Sequence, residues 1–184
     1  MKYFKKIEGE RIYLSPLNVE DVEKYVEWFT DYTTTDGMGS TATIYNIENE
    51  REWMESTLKE GRYIFAIVNK ENDELIGNCG FDNINHRNRK GTIGIFIGNE
   101  KHRNKGYGTE VIKLLLDFGF NYLNLNNINL FVFSFNERAI ECYKKAGFKE
   151  CRKKKRIIFF KWKILWWNSN GLHSKRVWRK LYKE

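Results

Sequence analysis

No apolar run follows the first residues, Met1-Lys2-Tyr3-Phe4-Lys5-Lys6, and no uncharged stretch reaches about 18 residues, so secretion and membrane spanning are unsupported. A cytoplasmic location is the expectation. The three cysteines, Cys79, Cys142 and Cys151, are odd in number and lack metal-ligand spacing. They read as reduced, buried thiols of an intracellular chain, and no metal is expected. Internal repeats and low-complexity linkers are missing too. With 184 residues, 41% hydrophobic and 16% aromatic, wholesale disorder is excluded and one globular domain with a core is the default.

Acidic residues run out toward the C-terminus: residues 151–184 carry 12 Lys+Arg against one acid, Glu184. Residues 1–150 hold 20 basic and 23 acidic residues, so the net charge of +8 belongs to the tail. Four of the six tryptophans, Trp162, Trp166, Trp167 and Trp178, lie there as well. The composition breaks near residue 150, dividing a domain over 1–150 from an atypical tail over 151–184.

Residues 11–14 read as a short strand ended by Pro16, before a helix capped near Asn18 with Val22, Tyr25, Val26 and Phe29 on one face. Residues 33–43, rich in Thr, Gly and Ser, read as a loop, and residues 48–58 as a short amphipathic helix. Strands over 62–68 and 75–81 flank a polar turn and suggest an antiparallel hairpin. After the basic loop 86–90 come a strand (92–97), a glycine turn, a buried helix from Thr109 to about Leu123, a strand (128–135) and a helix (138–146) stopped by Gly147. Two β-to-α steps beside a hairpin imply a mixed α/β fold with part of its sheet parallel.

Arg103-Asn104-Lys105-Gly106-Tyr107-Gly108 sits between the strand and the helix. Glycines there let backbone N–H groups approach an anion, and the helix start adds about half a positive charge. An ordinary loop leading into a helix is the plainer reading of the glycines alone. A P-loop is disfavoured because no Lys-Ser/Thr follows the second glycine, and the Gly-x-Gly-x-x-Gly spacing of dinucleotide sites is absent.

Arg103-x-x-Gly106-x-Gly108, followed by Asn136-x-x-Ala139, Tyr143 and Gly147-Phe148, resembles the GCN5-related N-acetyltransferase (GNAT) superfamily over roughly residues 10–150. Within it the chain is most similar to the branch of ribosomal-protein N-terminal and spermidine acetyltransferases. The resemblance implies a mixed sheet splayed between its fourth and fifth strands, here 92–97 and 128–134. It implies acetyl-CoA as cosubstrate, its pyrophosphate held by Arg103 and the amides of Asn104, Lys105, Gly106, Tyr107, Gly108 and Thr109. Exposed backbone of Ile95, Phe96 and Ile97 would pair with the pantetheine arm. Asn136, with Ala139 beside it, would meet the pantetheine or phosphate region. Arg138 and Lys145 would reach phosphates, although a solvated face is the plainer reading of both.

The same resemblance implies that an amine attacks the thioester directly, with both substrates held together, while Tyr143 as general acid protonates the departing thiolate. A phenol with an ordinary pKa of about 10 remains a donor at neutral pH. A Tyr143 that only packs on its helix is the alternative. The acceptor would be a protein N-terminus, a polyamine or a small amine, and a homodimer is an admissible assembly. Asp31, Asp36, Glu48, Glu52 and Glu55 could receive a cation or form a solvated face. Many members of this branch carry an acid at the start of the fourth strand, where this chain has Thr92, which is no base. No histidine is placed to replace it: His86 and His102 fall in loops and His173 in the tail. Water, Glu100 or Asp82 would then take the proton; alternatively the protein is a non-catalytic acyl-CoA sensor.

Relatives usually end with a two-strand hairpin, written roughly E-S-Y-F-x-N-G-K-Y-Y-D, unlike residues 156–167 here. Joining the last two bases of each codon to the first of the next permits E-S-Y-F-L-N-G-K-Y-Y-G-G-I-V-M-D, which is that tail. Residues beyond about Lys153 to Arg156 therefore read as translated one base out of frame, the slip lying in the A-rich lysine codons. On this reading residues 157–167 still make one strand, and the chain beyond Asn168 is poorly ordered or incidentally helical. A basic, Trp-rich arm that binds single-stranded nucleic acid is the competing reading.

Overall fold

The computed structural model describes residues 2–152, 157–160 and 163–173, with side chains through residue 149. In chain order the elements are β1 (Ile7–Glu8), β2 (Ile12–Pro16), α1 (Val22–Thr30), α2 (Tyr32–Met38), α3 (Ile47–Lys59), β3 (Ile64–Asn69), β4 (Leu75–Asn85), β5 (Lys90–Ile97), α4 (Tyr107–Asp117), β6 (Asn127–Phe133), α5 (Glu137–Lys145), β7 (Lys149–Arg152), β8 (Ile157–Phe160) and β9 (Lys163–His173). The class is mixed α/β, as the alternation of strand and helix patterns implies. Two compact units divide the chain: Met1–Gly80 with Ile95–Val111, and Phe81–Gly94 with Ile112–Glu184.

In the first unit β1 to β4 form an antiparallel run, β2 pairing with β3 from Ile12↔Asn69 to Pro16↔Phe65, and β3 with β4 from Ile64↔Gly80 to Val68↔Leu75. Every residue of β3 is buried, so its apolar run fills the middle of this sheet. Tyr13, Leu17, Val22, Tyr25, Trp28, Met54, Ala66 and Val68 form the core that α1 and α3 cover. Asn18 accepts from the Glu20 N–H and Asn46 from the Asn49 N–H, which fixes where the first helical segment and α3 begin.

The Thr-rich stretch expected as loop contains α2. Asp31 caps it, accepting from the Thr33 N–H at 2.9 Å and the Thr34 hydroxyl at 3.0 Å, while Thr34 and Thr35 are buried and Gly39 ends it at φ 74°. Local composition favours a loop, but the cap and the burial of two threonines outweigh it.

In the second unit β5 pairs in parallel with β6 for three residues, Lys90↔Asn127, Gly91↔Ile128 and Thr92↔Asn129. The register ends there, although β5 continues to Ile97 and β6 to Phe133. Beyond α4 the helix widens into one π turn over Phe118–Tyr122. Cys79 is buried and its thiol pushed up by that burial, whereas Cys142 is only half-buried, contrary to expectation, because it stands on a partly solvated face of α5.

The tail departs from the single strand expected. Ile157–Phe160 and Lys163–His173 pair antiparallel, and β9 runs along β6 from Asn127↔His173 to Phe133↔Trp167, past Asn168. The polar Asn-Ser-Asn-Gly segment has no strand signature of its own. A partner strand supplies the backbone hydrogen bonds that a local pattern cannot reveal. The expectation for residues beyond His173 lies outside the described residues.

Candidate active site

The turn between β5 and α4 is built from two left-handed residues, Asn104 at φ 60° and Gly106 at φ 84°. Asn is among the few side chains that tolerate this region, and glycine has no Cβ to oppose it. Among the described residues the N–H groups of Asn104, Lys105, Gly106, Tyr107 and Gly108 donate to no protein acceptor. The Glu110 N–H closes the first helical turn onto the Gly106 carbonyl at 3.2 Å. Alternating backbone handedness at a helix start gathers such donors into an anion-binding concavity. The donor set fits a diphosphate. Lys105 is exposed beside it, and Thr109 is half-buried in the first turn.

Arg103 departs from its expected role. Its side chain is only 6% exposed, and its guanidinium is consumed inside the protein. Nε donates to the Ile97 carbonyl at 3.0 Å, and Nη2 to the Gly98 carbonyl at 3.0 Å and the Thr34 hydroxyl at 2.5 Å. Nη1 donates to Thr33 Oγ1 at 3.1 Å and Glu100 Oε1 at 3.2 Å. The Arg103 N–H is also taken, by the Glu100 carbonyl at 2.9 Å. No donor of Arg103 remains for a phosphate, so it braces the loop instead. Of the strand residues Ile95, Phe96 and Ile97, all half-buried, Ile97 shares its carbonyl with this brace, while the Phe96 ring packs edge-on against Tyr25 and Trp28.

His102 is engaged as well, with Nε2 3.1 Å from Glu74 and its ring 5.7 Å from that of Tyr107. Arg11, which the motif reading passed over, reaches the turn from the start of β2: Nη1 donates to the Lys105 carbonyl and Nε to Glu110. Nothing in local sequence pairs residue 11 with residue 105.

On α5, Asn136 uses Oδ1 to cap the helix, accepting from the Ala139 N–H at 3.2 Å, and its amide Nδ2 is left to donate elsewhere. Tyr143 is 8% exposed, and its hydroxyl makes no hydrogen bond to a described residue. Burial, and then the neighbouring Cys142, hold its pKa well above the ordinary phenol value. It is a proton donor throughout the neutral range. Arg138 and Lys145 are exposed and form no ion pair within the described residues, though Arg138 acts electrostatically on Tyr143 and Lys145 on Glu141.

The acids separate by environment. Glu48, Glu52 and Glu55 are exposed on one side of α3, Asp31 caps α2, and Asp36 accepts from the Thr41 hydroxyl at 2.7 Å. Glu100 is bound to Arg103 and Thr33. Asp82 leans over β5: a Cβ on Gly94 would stand 3.0 Å from its Oδ2. Glu50 is the one the sequence did not single out. It is 6% exposed, Oε1 has no hydrogen-bond partner among the described residues, and burial raises its pKa to about 7. Among the described residues no group of three His, Cys, Asp or Glu could hold a metal, and no helix is long and apolar enough to cross a membrane.

A family model described as an acetyltransferase (GNAT) domain matches residues 11–149. The uncharacterized N-acetyltransferase p20 of Bacillus licheniformis is 30% identical over 145 residues, which cover 77% of this chain and 80% of that one. Spermidine N(1)-acetyltransferase of Escherichia coli is 43% identical over 65 residues, about a third of either chain (35% and 34%). Among solved structures, a spermidine N-acetyltransferase from Vibrio cholerae in complex with CoA and spermine has TM-score 0.80 at 20% identity, covering 90% of this chain and 96% of that one. A GNAT-family acetyltransferase from Bacillus anthracis has TM-score 0.79 at 20% identity, with coverage of 92% and 98%. Taken with the strand–turn–helix at residues 90–117, these matches mean that the chain belongs to the GCN5-related N-acetyltransferase family and is an N-acetyltransferase.

Proposed function

We propose that the chain transfers the acetyl group of acetyl-CoA to a primary amine by direct attack, with no covalent enzyme intermediate. The observation that carries the reading is the run of five acceptor-free N–H groups at residues 104–108, at the start of α4. These amides hold the CoA diphosphate, and the Asn136 amide donates to the pantetheine or phosphate region. The amine nitrogen forms a bond to the thioester carbonyl carbon, and the C–S bond breaks. Tyr143 gives its phenolic proton to the departing thiolate. The attacking nitrogen's surplus proton leaves to water, to Asp82 or to Glu100.

A polyamine is the favoured acceptor, because relatives named spermidine acetyltransferases recur among the matches. A protein N-terminus or another small amine is the alternative. The half-buried Thr92, in place of an acid, supports a second reading as a non-catalytic acyl-CoA sensor. Acetyl-CoA should raise the Tm where ATP does not. Thiol release over a panel of amines then separates catalyst from sensor: release with none of them sinks the catalytic reading.

A further inference from the structure

Arg11 touches the anion turn at three successive points. Nη1 donates to the Lys105 carbonyl at 2.9 Å, Cζ lies 4.7 Å from the centre of the Tyr107 ring, and Nε donates to Glu110 Oε2 at 3.0 Å. The backbone N–H groups of Arg11 and Ile12 add bonds of 2.8 and 3.3 Å to Glu110 Oε1, so the side chain is anchored before it reaches the turn. Nη2 has no hydrogen-bond partner among the described residues and lies 3.3 Å from where a Cβ on Gly106 would stand.

The peptide between Lys105 and Gly106 carries both the carbonyl that Arg11 holds and the Gly106 N–H. It leads into the left-handed Gly106, and glycine there admits either orientation of its plane. This peptide is trans, and a trans peptide directs its C=O and N–H to opposite sides. Holding the Lys105 oxygen on the Arg11 side therefore turns the Gly106 N–H to the other side. Glycine permits the conformation, and Arg11 selects it.

We infer that Arg11 is a positioning residue for the diphosphate: by gripping the Lys105 carbonyl it keeps the Gly106 N–H directed into the anion cradle. This rests on the proposed reading of residues 104–108 as the CoA diphosphate site. The role depends on the guanidinium fork, because one nitrogen is needed for Glu110 and another for Lys105. A lysine retains the charge but cannot make both bonds.

The test is acetyl-CoA binding by calorimetry to the full chain and to Arg11→Gln, Arg11→Lys and Glu110→Gln, with S-acetylpantetheine, which lacks the diphosphate, as the second probe. Tm is recorded for each variant. Expected is a loss of roughly 10- to 150-fold in acetyl-CoA affinity for both Arg11 variants, the scale of one lost charge-assisted hydrogen bond, and a smaller loss for Glu110→Gln. Binding of S-acetylpantetheine should be the same in all four proteins. Equal acetyl-CoA affinity in wild type and Arg11→Gln overturns this role alone. Full recovery in Arg11→Lys overturns it in favour of simple charge. Loss of both probes in parallel makes Arg11 merely structural, and a wild type that binds no acetyl-CoA overturns the diphosphate reading along with it. Should Arg11→Gln not fold, Glu110→Gln, which removes only the anchor, decides by the same comparison.

Discussion

Arg103 Nη2 donates to the Thr34 hydroxyl at 2.5 Å, both side chains being almost wholly buried, so the turn before α4 is tied to a helix nearly seventy residues upstream. The same guanidinium holds the Ile97 and Gly98 carbonyls. Arg103→Ala should cost about 2–4 kcal/mol in denaturant unfolding, because it removes a charged donor and leaves buried acceptors without one. Arg103→Lys should rescue little, since three directions of bonding need the fork. Thr34→Val, which removes one partner, should cost about 1–2 kcal/mol.

Glu50 makes stability fall as pH rises. Its carboxyl is moved from 4.5 to about 7 by burial, so between those values the folded chain keeps a proton that the unfolded chain has released. The penalty is absent below about 4.5, grows up to pH 7 and is constant above it. It amounts to at most about 3 kcal/mol. Glu50→Gln should flatten this slope and be the more stable protein at pH 8, as read by urea unfolding at pH 5 and pH 8. A wild-type slope unchanged by the substitution would remove Glu50 as its source.

Tyr143→Phe should lower turnover by about 100-fold or more while leaving acetyl-CoA affinity within about twofold, because the ring still packs near Phe148 and only the proton is lost. The wild-type rate should show no loss from phenol ionisation up to at least pH 10, since burial moves that ionisation upward. Undiminished turnover in the variant would exclude Tyr143 as the acid.

The reading of the tail as out of frame is checked on the encoding DNA. A single-base gain or loss is expected in the codons of residues 153–156, and the chain rebuilt in the other frame should unfold at a higher temperature. An uninterrupted gene shared by the protein's source leaves only an unusual tail.

The helix start near Asn18, the apolar run of β3 and the glycine turn were legible because each is a local affair of caps, periodicity and backbone freedom. Where a residue's environment comes from distant chain, legibility ended. The Thr-rich segment became α2 only because Thr34 and Thr35 are buried, and β9 exists by pairing with β6. Residue types and spacing alone implied the mixed α/β class and a glycine turn between strand and helix at residues 103–108, and the resemblance carried by those motif residues implied the acetyltransferase family. Only the tertiary structure decided that Arg103 braces the loop, that Asn136 spends one of its two polar atoms as a cap, that Glu50 is a buried carboxyl with a raised pKa, and that Arg11 grips the turn. The physical reason is that a side chain's chemistry is set by its partners and its dielectric surroundings, and for these four groups the packing of the fold supplies both.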